Sequence, residues 1–402
     1  MNMTMGLSTP RSAKRRESWF LGGLSLWLLA KVLRYSMFVV ETPQLELVFV
    51  GVEFLALVIL ILFELIFNFS QASKVLTIFV ILLLTVVITM TTGYFYLAES
   101  ALIIVVSRNC NLRSILRIAF WTLCIAVAVV VLTSLAGIIP NYIFTWGERV
   151  RLGLGFKYAT YVPAFAFALI ALYGYLQFEY LKLSYLLSAF FIEAILFYYT
   201  DTRFLAVLGA VGALFMFIVS RFVMRDSRVL RLLWITPALF LVFLIGSYWL
   251  AVMYDPGSNS YNSLNVLLSD RLALGQAAIS DWGIALWGQE VEYNAITWNS
   301  GVPSLPDTVN VVDSSYLSAL LLFGPVVSTA IFSCLTMLAV NGCRRKDWGL
   351  VIGLLLMAIM GLFEPRLLLL EYNPFLLCFG PLFLRAKSKP NIADSRVVYR
   401  GG

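Results

Sequence analysis

The chain has 402 residues, 61% of them hydrophobic and 13% charged, and a formal net charge of +7. That composition excludes an ordinary soluble domain, and the positive surplus lies mostly in short loops between apolar runs, where it orients helices in a bilayer instead of binding nucleic acid. There is no histidine, which removes mechanisms that need an imidazole base, and with them the usual acyltransferase and metalloprotease schemes.

The predicted fold is an all-α polytopic integral membrane protein, a single membrane domain. Open strand edges are not tolerated in lipid, so the long apolar runs are read as helices, and the alternation of an outer-membrane barrel is absent. Residues 1–18 form a cytoplasmic N-terminal segment with a basic cluster from Arg11 to Arg16. No short apolar region with a small-residue cleavage site follows, so the first span is expected to remain in the protein.

At about 20 residues per crossing, about twelve spans follow. Nine lie within 19–253, at 19–40, 45–66, 74–93, 94–107, 116–139, 161–178, 183–200, 203–220 and 232–253, and three within 313–385, at 313–338, 348–363 and 367–384. The fourth and eleventh are short and can be tilted or re-entrant. With twelve crossings, the basic clusters at 11–16, 108–117, 221–231, 343–346 and 385–389 share one side with the tail 386–402. Positive charge stays inside, so the N and C termini are expected to be cytoplasmic.

The opposite side then holds two loops. The first is 140–160, PNYIFTWGERVRLGLGFKYAT. The second, 254–312, is the large external loop between the ninth and tenth spans. It opens on the turn-rich DPGSNSYNS. Apolar positions at Val266, Leu267, Leu274, Ala278 and Trp282 then predict an amphipathic helix lying on the membrane surface. No internal repeat is visible, which counts against transporters built from duplicated halves.

Five cysteines, Cys110, Cys124, Cys334, Cys343 and Cys378, fall outside the external segments and form neither CxxC nor zinc spacing. A Walker lysine loop and a G-x-S-x-G elbow are both absent. Glu290-Val-Glu292 is the one close external carboxylate pair, and a divalent-metal sugar-nucleotide site is the alternative reading there.

The expected external segments carry Arg149, Arg151, Lys157, Arg203, Arg271 and Arg366. Cations on the side that normally lacks them call for an anionic ligand. Arg149, Arg151 and Lys157 can clamp a pyrophosphate, each charge-assisted hydrogen bond contributing about 1.5–3 kcal/mol, and Gly153 and Gly155 permit close backbone approach. The plainer reading is a loop whose cations face lipid headgroups. Asp313 opens the tenth span, either as a helix cap or as a general base or orienter of an acceptor hydroxyl. Tyr316 follows it and suits an interfacial belt. Pro365 breaks the helix between the last two spans. There Arg366 can join the cations and Glu364 or Glu371 can act as an alternative base, or the segment is simply a turn with an ion pair.

Within the spans, Lys31, Arg34, Glu53, Glu64, Glu99 and Glu193 each cost about 2.5–3.5 kcal/mol near the bilayer centre. Lys31 and Glu53 fall at similar depth in adjacent antiparallel spans, and an ion pair is expected between them. A proton path through the glutamates is the alternative.

Several segments resemble one family. Arg-Val-Arg-Leu-Gly-Leu-Gly-Phe at 149–156, Leu268-Ser-Asp-Arg-Leu272 with Trp287-Gly288, Val312-Asp-Ser-Ser-Tyr-Leu317, Gly361-Leu-Phe-Glu364 and Asn373-Pro-Phe375 are similar to motifs of Wzy-type polysaccharide repeat-unit polymerases. These are related broadly to O-antigen polymerases and ligases, and the layout of the whole chain is similar too. The missing histidine departs from the ligase branch. The resemblance implies a bacterial cytoplasmic (plasma) membrane and an undecaprenyl-pyrophosphate-linked oligosaccharide as substrate. It implies en-bloc glycosyl transfer at the outer face, without nucleotide donor, metal or cofactor, among membrane lipid and other export proteins such as a flippase and a chain-length regulator. It suggests Asp313 and Arg271 as catalytic residues, and Arg149, Arg151, Lys157, Arg366, Tyr316 and Glu364 as substrate-binding. Cations stabilise the charge that builds on a departing pyrophosphate, and two lipid-anchored reactants gain from proximity. The competing readings are a lipid-linked oligosaccharide flippase or transporter, an O-antigen-ligase-like transferase, and a scaffold of a synthesis complex.

Overall fold

The computed structural model describes residues 10–68, 83–146, 149–221, 227–293, 297–299, 302–304 and 311–384. The outermost N-terminal residues, the C-terminal tail, part of the expected third span and most of the stretch leading into the tenth lie outside these. The chain runs through α1 (Pro10–Arg34), α2 (Met37–Glu41) and α3 (Gln44–Asn68), then α4 (Leu83–Thr92). It continues through α5 (Tyr96–Ser107), α6 (Leu112–Leu135), the hairpin β1 (Ile143–Trp146) and β2 (Arg149–Leu152), α7 (Tyr161–Leu176), α8 (Leu183–Thr200) and α9 (Arg203–Arg221). The remaining elements are α10 (Ser227–Leu232), α11 (Thr236–Val252), α12 (Asn259–Leu267), α13 (Arg271–Trp282), β3 (Thr297–Asn299), β4 (Val302–Ser304), α14 (Ser315–Arg345) and α15 (Trp348–Met360).

Among the described residues, six helices are long and apolar enough to cross a membrane: α3, α6, α8, α9, the Leu230–Val252 stretch containing α11, and α14. Their outward faces carry large apolar side chains such as Leu47, Phe54, Leu132, Phe191 and Ile245. Water does not stabilise such a surface and lipid does, so the protein is a multi-pass membrane protein. The fourth expected span is the short α5, as its length indicated. The twelfth is no regular helix: residues 361–373 are turns, and a 3-10 helix (Pro374–Cys378) and a π-helix (Gly380–Leu384) follow, packed against α6 and α5.

Local chemistry sets the helix ends. The Asn111 side chain accepts from the Arg113 and Ser114 amides and starts α6. Asp347 does the same for α15 through Leu350. The cap of α14 is Ser314, accepting from Leu317, and not Asp313. Asp201 ends α8 in a left-handed conformation. Gly324 and Pro325 interrupt α14 with a kink.

α1 packs on α3 and α6, α7 on α6 and α9, α8 on α9, and α14 on α11 and α15. One end of this bundle gathers the basic turns: Arg113 donates to the Leu176 carbonyl, Arg221 to Leu181, and Tyr175 to Asp347. The hairpin, the α8–α9 turn, α13 and the 361–373 turns gather at the other end.

The ion pair expected inside the bundle forms. Lys31 Nζ lies 3.3 Å from Glu53 Oε2 and 2.7 Å from Glu99 Oε2. Arg34 Nη1 adds a second cation 3.4 Å from Glu53 Oε2, and Lys31 lies 5.4 Å from the centre of the Trp27 ring. Lys31 thus joins α1, α3 and α5 through one buried charge. Breaking a buried pair costs about 3–5 kcal/mol when one partner is left uncompensated. Lys31→Ala strands Glu99 and leaves Glu53 with Arg34 alone, whereas Glu53→Gln leaves Lys31 with Glu99 and Arg34 with Glu46. Thermal melting in detergent is therefore expected to show Lys31→Ala as clearly the more destabilised variant.

Candidate functional site

The first loop contains a hairpin. β1 and β2 pair antiparallel with Phe144 opposite Arg151 and Trp146 opposite Arg149. Gly155, at φ +84°, sits against Val130 and Ser134 of α6, where a Cβ would collide. A Cβ at Gly153 would collide with the Phe156 carbonyl. These glycines therefore serve packing of the chain on itself, not ligand approach. The returning strand is pinned to the α1–α2 break by Met37 N–H donating to the Gly155 carbonyl at 2.8 Å and Lys157 N–H to the Tyr35 carbonyl at 3.0 Å.

This anchoring directs the β2 arginines onto the α8–α9 turn. Arg149 pairs with the Asp201 carboxylate and donates to its carbonyl at 2.8 Å. Arg203 also reaches Asp201, at 3.2 Å. Burial alone would raise the Asp201 carboxyl, but hydrogen bonds from Arg149 and Arg203 outweigh it and hold the group below its ordinary range. Arg151 donates to the Thr200 carbonyl at 2.8 Å and to Thr202 Oγ1 at 3.1 Å, both neutral acceptors. Among the described residues it has no carboxylate at salt-bridge distance. Burial and then Arg149 lower its affinity for its proton, while Asp201, Glu364 and Asp313 lie near enough to oppose that.

The expected surface helix of the second loop is two helices. Ser269 and Asp270, both with positive φ, break it between α12 and α13. Val266 and Leu267 are exposed, whereas Leu272, Gly275 and Ala278 face inward. Asn265 holds the corner, accepting from the Leu272 and Ala273 amides at 3.1 Å and donating to Asp270 at 2.9 Å. The corner aims Arg271 at the start of α14. Its Nη2 lies 3.1 Å from Asp313 Oδ2, with 25% and 39% of the two side chains exposed. It also donates to the Leu268 and Phe363 carbonyls, and its Nε is buried without a partner among the described residues.

Arg366 completes the group. It pairs with Glu364, donates to Thr160 Oγ1 at 2.8 Å, and lies 4.9 and 5.3 Å from the Tyr161 and Tyr372 ring centres. Burial pushes the Glu364 carboxyl above the usual range. Arg366, Arg271 and Arg151 oppose this and Asp313 adds to it, so all five side chains share one electrostatic neighbourhood. The two loops thus converge, bringing Arg149, Arg151, Arg271, Asp313, Glu364 and Arg366 together.

Two predicted residues stand apart. Lys157 neighbours Arg34 and Glu46 beside α1 and α3, and burial lowers its ammonium from the ordinary lysine value. Tyr316 is 0% exposed, donates to the Ala358 carbonyl at 2.9 Å and packs on Phe243 and Phe332. Its hydroxyl is therefore committed to the core and unavailable to a ligand. Sequence reasoning did not single out Thr160, Tyr161, Thr200, Asp201, Thr202 and Tyr372. The polar turn Thr200-Asp201-Thr202 between two apolar runs was the available signal. Comparisons with family models, with characterised proteins and with solved structures find no match for this chain.

The Asp201 pairs fix a direction for acid sensitivity. A carboxyl held below its unfolded value contributes stability at neutral pH, and loses it as pH falls through the folded value. Melting followed from about pH 7 down to about pH 3 is expected to show a smaller acid loss in Asp201→Asn than in wild type. The difference should be about 1 kcal/mol or less for so accessible a pair.

Proposed function

We propose that this protein polymerises lipid-pyrophosphate-linked oligosaccharide repeat units at the outer face of a bacterial cytoplasmic membrane, with about twelve crossings and cytoplasmic termini. The reading rests on one observation above the others: Arg149, Arg151, Arg203, Arg271 and Arg366 gather around three carboxylates, Asp201, Asp313 and Glu364, and Arg151 is bonded only to neutral acceptors. Among the described residues the group keeps a positive surplus at the bundle end opposite the basic turns. A diphosphate supplies the missing charge, and guanidinium groups bind its oxygens in two-pronged fashion.

The chemistry assigns roles. When the anomeric carbon–oxygen bond to the pyrophosphate breaks, charge grows on the leaving group and the fixed guanidinium of Arg151 stabilises it without reorganisation. Arg149, held by Asp201, flanks it. Asp313 is the accessible carboxylate and accepts the proton of the attacking sugar hydroxyl, with Arg271 fixing its orientation. Glu364 is buried against Arg366 and serves to position that guanidinium. The negative charge of the lipid-linked donor also explains cations on the side where they are otherwise scarce.

Deleting the gene in its host should leave single repeat units capping the carrier lipid outside the cytoplasm. Intermediates retained inside would instead indicate a flippase. Arg151→Ala and Arg271→Ala should each lower polymer formation by about 10²–10³-fold while the protein stays in the membrane at normal level. Arg271→Lys should rescue poorly, because a point charge cannot replace the planar fork. Wild-type polymer from Arg151→Ala would remove the basis of the assignment.

A further inference from the structure

The α8–α9 pair holds an ionisable group that the site above does not use. Glu193 lies midway along α8 and is 2% exposed. Neither of its carboxyl oxygens has a hydrogen-bond partner among the described residues. The room it occupies exists because α9 presents Gly209 opposite it: a Cβ at Gly209 would overlap the Glu193 carboxyl. The surrounding elements bring no counter-charge. α9 carries charge only at its ends, Arg203 and Arg221. α15 has no charged residue. α7 contributes Tyr161, Tyr173 and Tyr175, and α8 itself Tyr185, Tyr198 and Tyr199. The Tyr185 hydroxyl donates to the Ile170 carbonyl at 3.2 Å. β2 meets only the far end of α8, where Thr200, Asp201 and Thr202 hold Arg149 and Arg151.

An ionised carboxylate without hydrogen bond or cation is strongly disfavoured inside a membrane. We propose that Glu193 is a proton-binding site within the membrane: in the packed α8–α9 pair its carboxyl carries a proton, and losing that proton drives the two helices apart. The helices meet at the Thr200-Asp201-Thr202 turn, so their separation loosens the seat of Arg149 and Arg151. The inference depends on neither the polymerase reading nor the orientation of the chain, only on the Glu193–Gly209 contact.

A lipid-soluble carbodiimide reads this state directly. The acid O–H adds across one C=N bond: the carboxyl oxygen bonds to the carbodiimide carbon and the proton goes to nitrogen. The acyl group then shifts to the other, imine nitrogen: its bond to oxygen breaks, the C=N becomes a C=O, and a stable N-acylurea results, so the whole reagent is retained and nothing leaves. The full-length protein in phosphatidylcholine vesicles is treated with dicyclohexylcarbodiimide at about pH 6 and about pH 9, a range in which an ordinary glutamate stays ionised, and its peptides are mapped by mass. The expected result is an adduct on Glu193, formed about tenfold faster at the lower pH and absent from Glu193→Gln. Melting gives a second reading, since a group protonated when folded stabilises at low pH and loses this as pH rises. Wild type should melt progressively lower between those pH values, and Glu193→Gln, a neutral isostere, should not share that loss. An unlabelled Glu193, labelling at equal rates at both pH values, or identical pH dependence in the variant would each overturn the proposal.

Discussion

A charge can be buried only if its partners are buried with it, and this constraint organises the end of the bundle where the loops meet. Arg366 packs against both the Tyr161 and Tyr372 rings, with Glu364 and Thr160 as polar partners. Desolvating a guanidinium costs several kcal/mol, of order, unless its donors are matched. Meeting that requirement draws the start of α7 and the irregular segment after α15 into one unit. The same unit continues through Ser315, whose hydroxyl donates to the Glu364 carbonyl at 2.5 Å and accepts from the Leu367 amide at 3.0 Å. The entry of α14, where Asp313 and Arg271 meet, is thereby fixed against Arg366.

Two charge systems lie near each other and differ in kind. Lys31 and Arg34 sit among Glu46, Glu53 and Glu99, and every close contact there is between opposite charges. With two cations among three carboxylates, this network has no positive charge left for an anionic ligand to neutralise, so its role is to hold α1, α3 and α5 in register. Among the described residues, the arginines beyond it outnumber their carboxylates. Tyr35, Tyr161 and Tyr372 separate the two, with ring centres 5.3 to 6.3 Å apart, and Tyr35 donates to Glu371 at 2.7 Å. The carboxylate-rich system stiffens the wall of the arginine-rich one. The proposed ligand chemistry belongs to the second because only there does positive charge remain to be matched.

Much of this is legible in the sequence. The apolar runs, the sorting of basic turns to one end and the Lys31–Glu53 pair follow from periodicity, the cost of charge in lipid and the rise of a helix. The convergence of Arg151, Arg271 and Arg366 was expected from their shared side. Other details were not. Tyr316 looked interfacial because it follows a polar stretch, yet the Ser315–Gly361 backbone contact of 2.8 Å pulls that turn into the core. Lys157 lies six residues after Arg151 in the same loop, but the hairpin turns the two towards different neighbours. Ser269 and Asp270 broke a helix that its apolar spacing alone would have continued.

Composition and hydropathy by themselves determined the solvent and the helical class, because transfer of each side chain between water and lipid depends on that side chain alone. Tertiary structure decided which cation meets which carboxylate, because pairing depends on distances that hairpin register, helix ends and glycine contacts set across the whole fold. Asp201 in a turn of α8–α9 and Gly209 opposite Glu193 are plain residues in the sequence. They acquire chemical meaning only when packing places a guanidinium beside one and a carboxyl against the other.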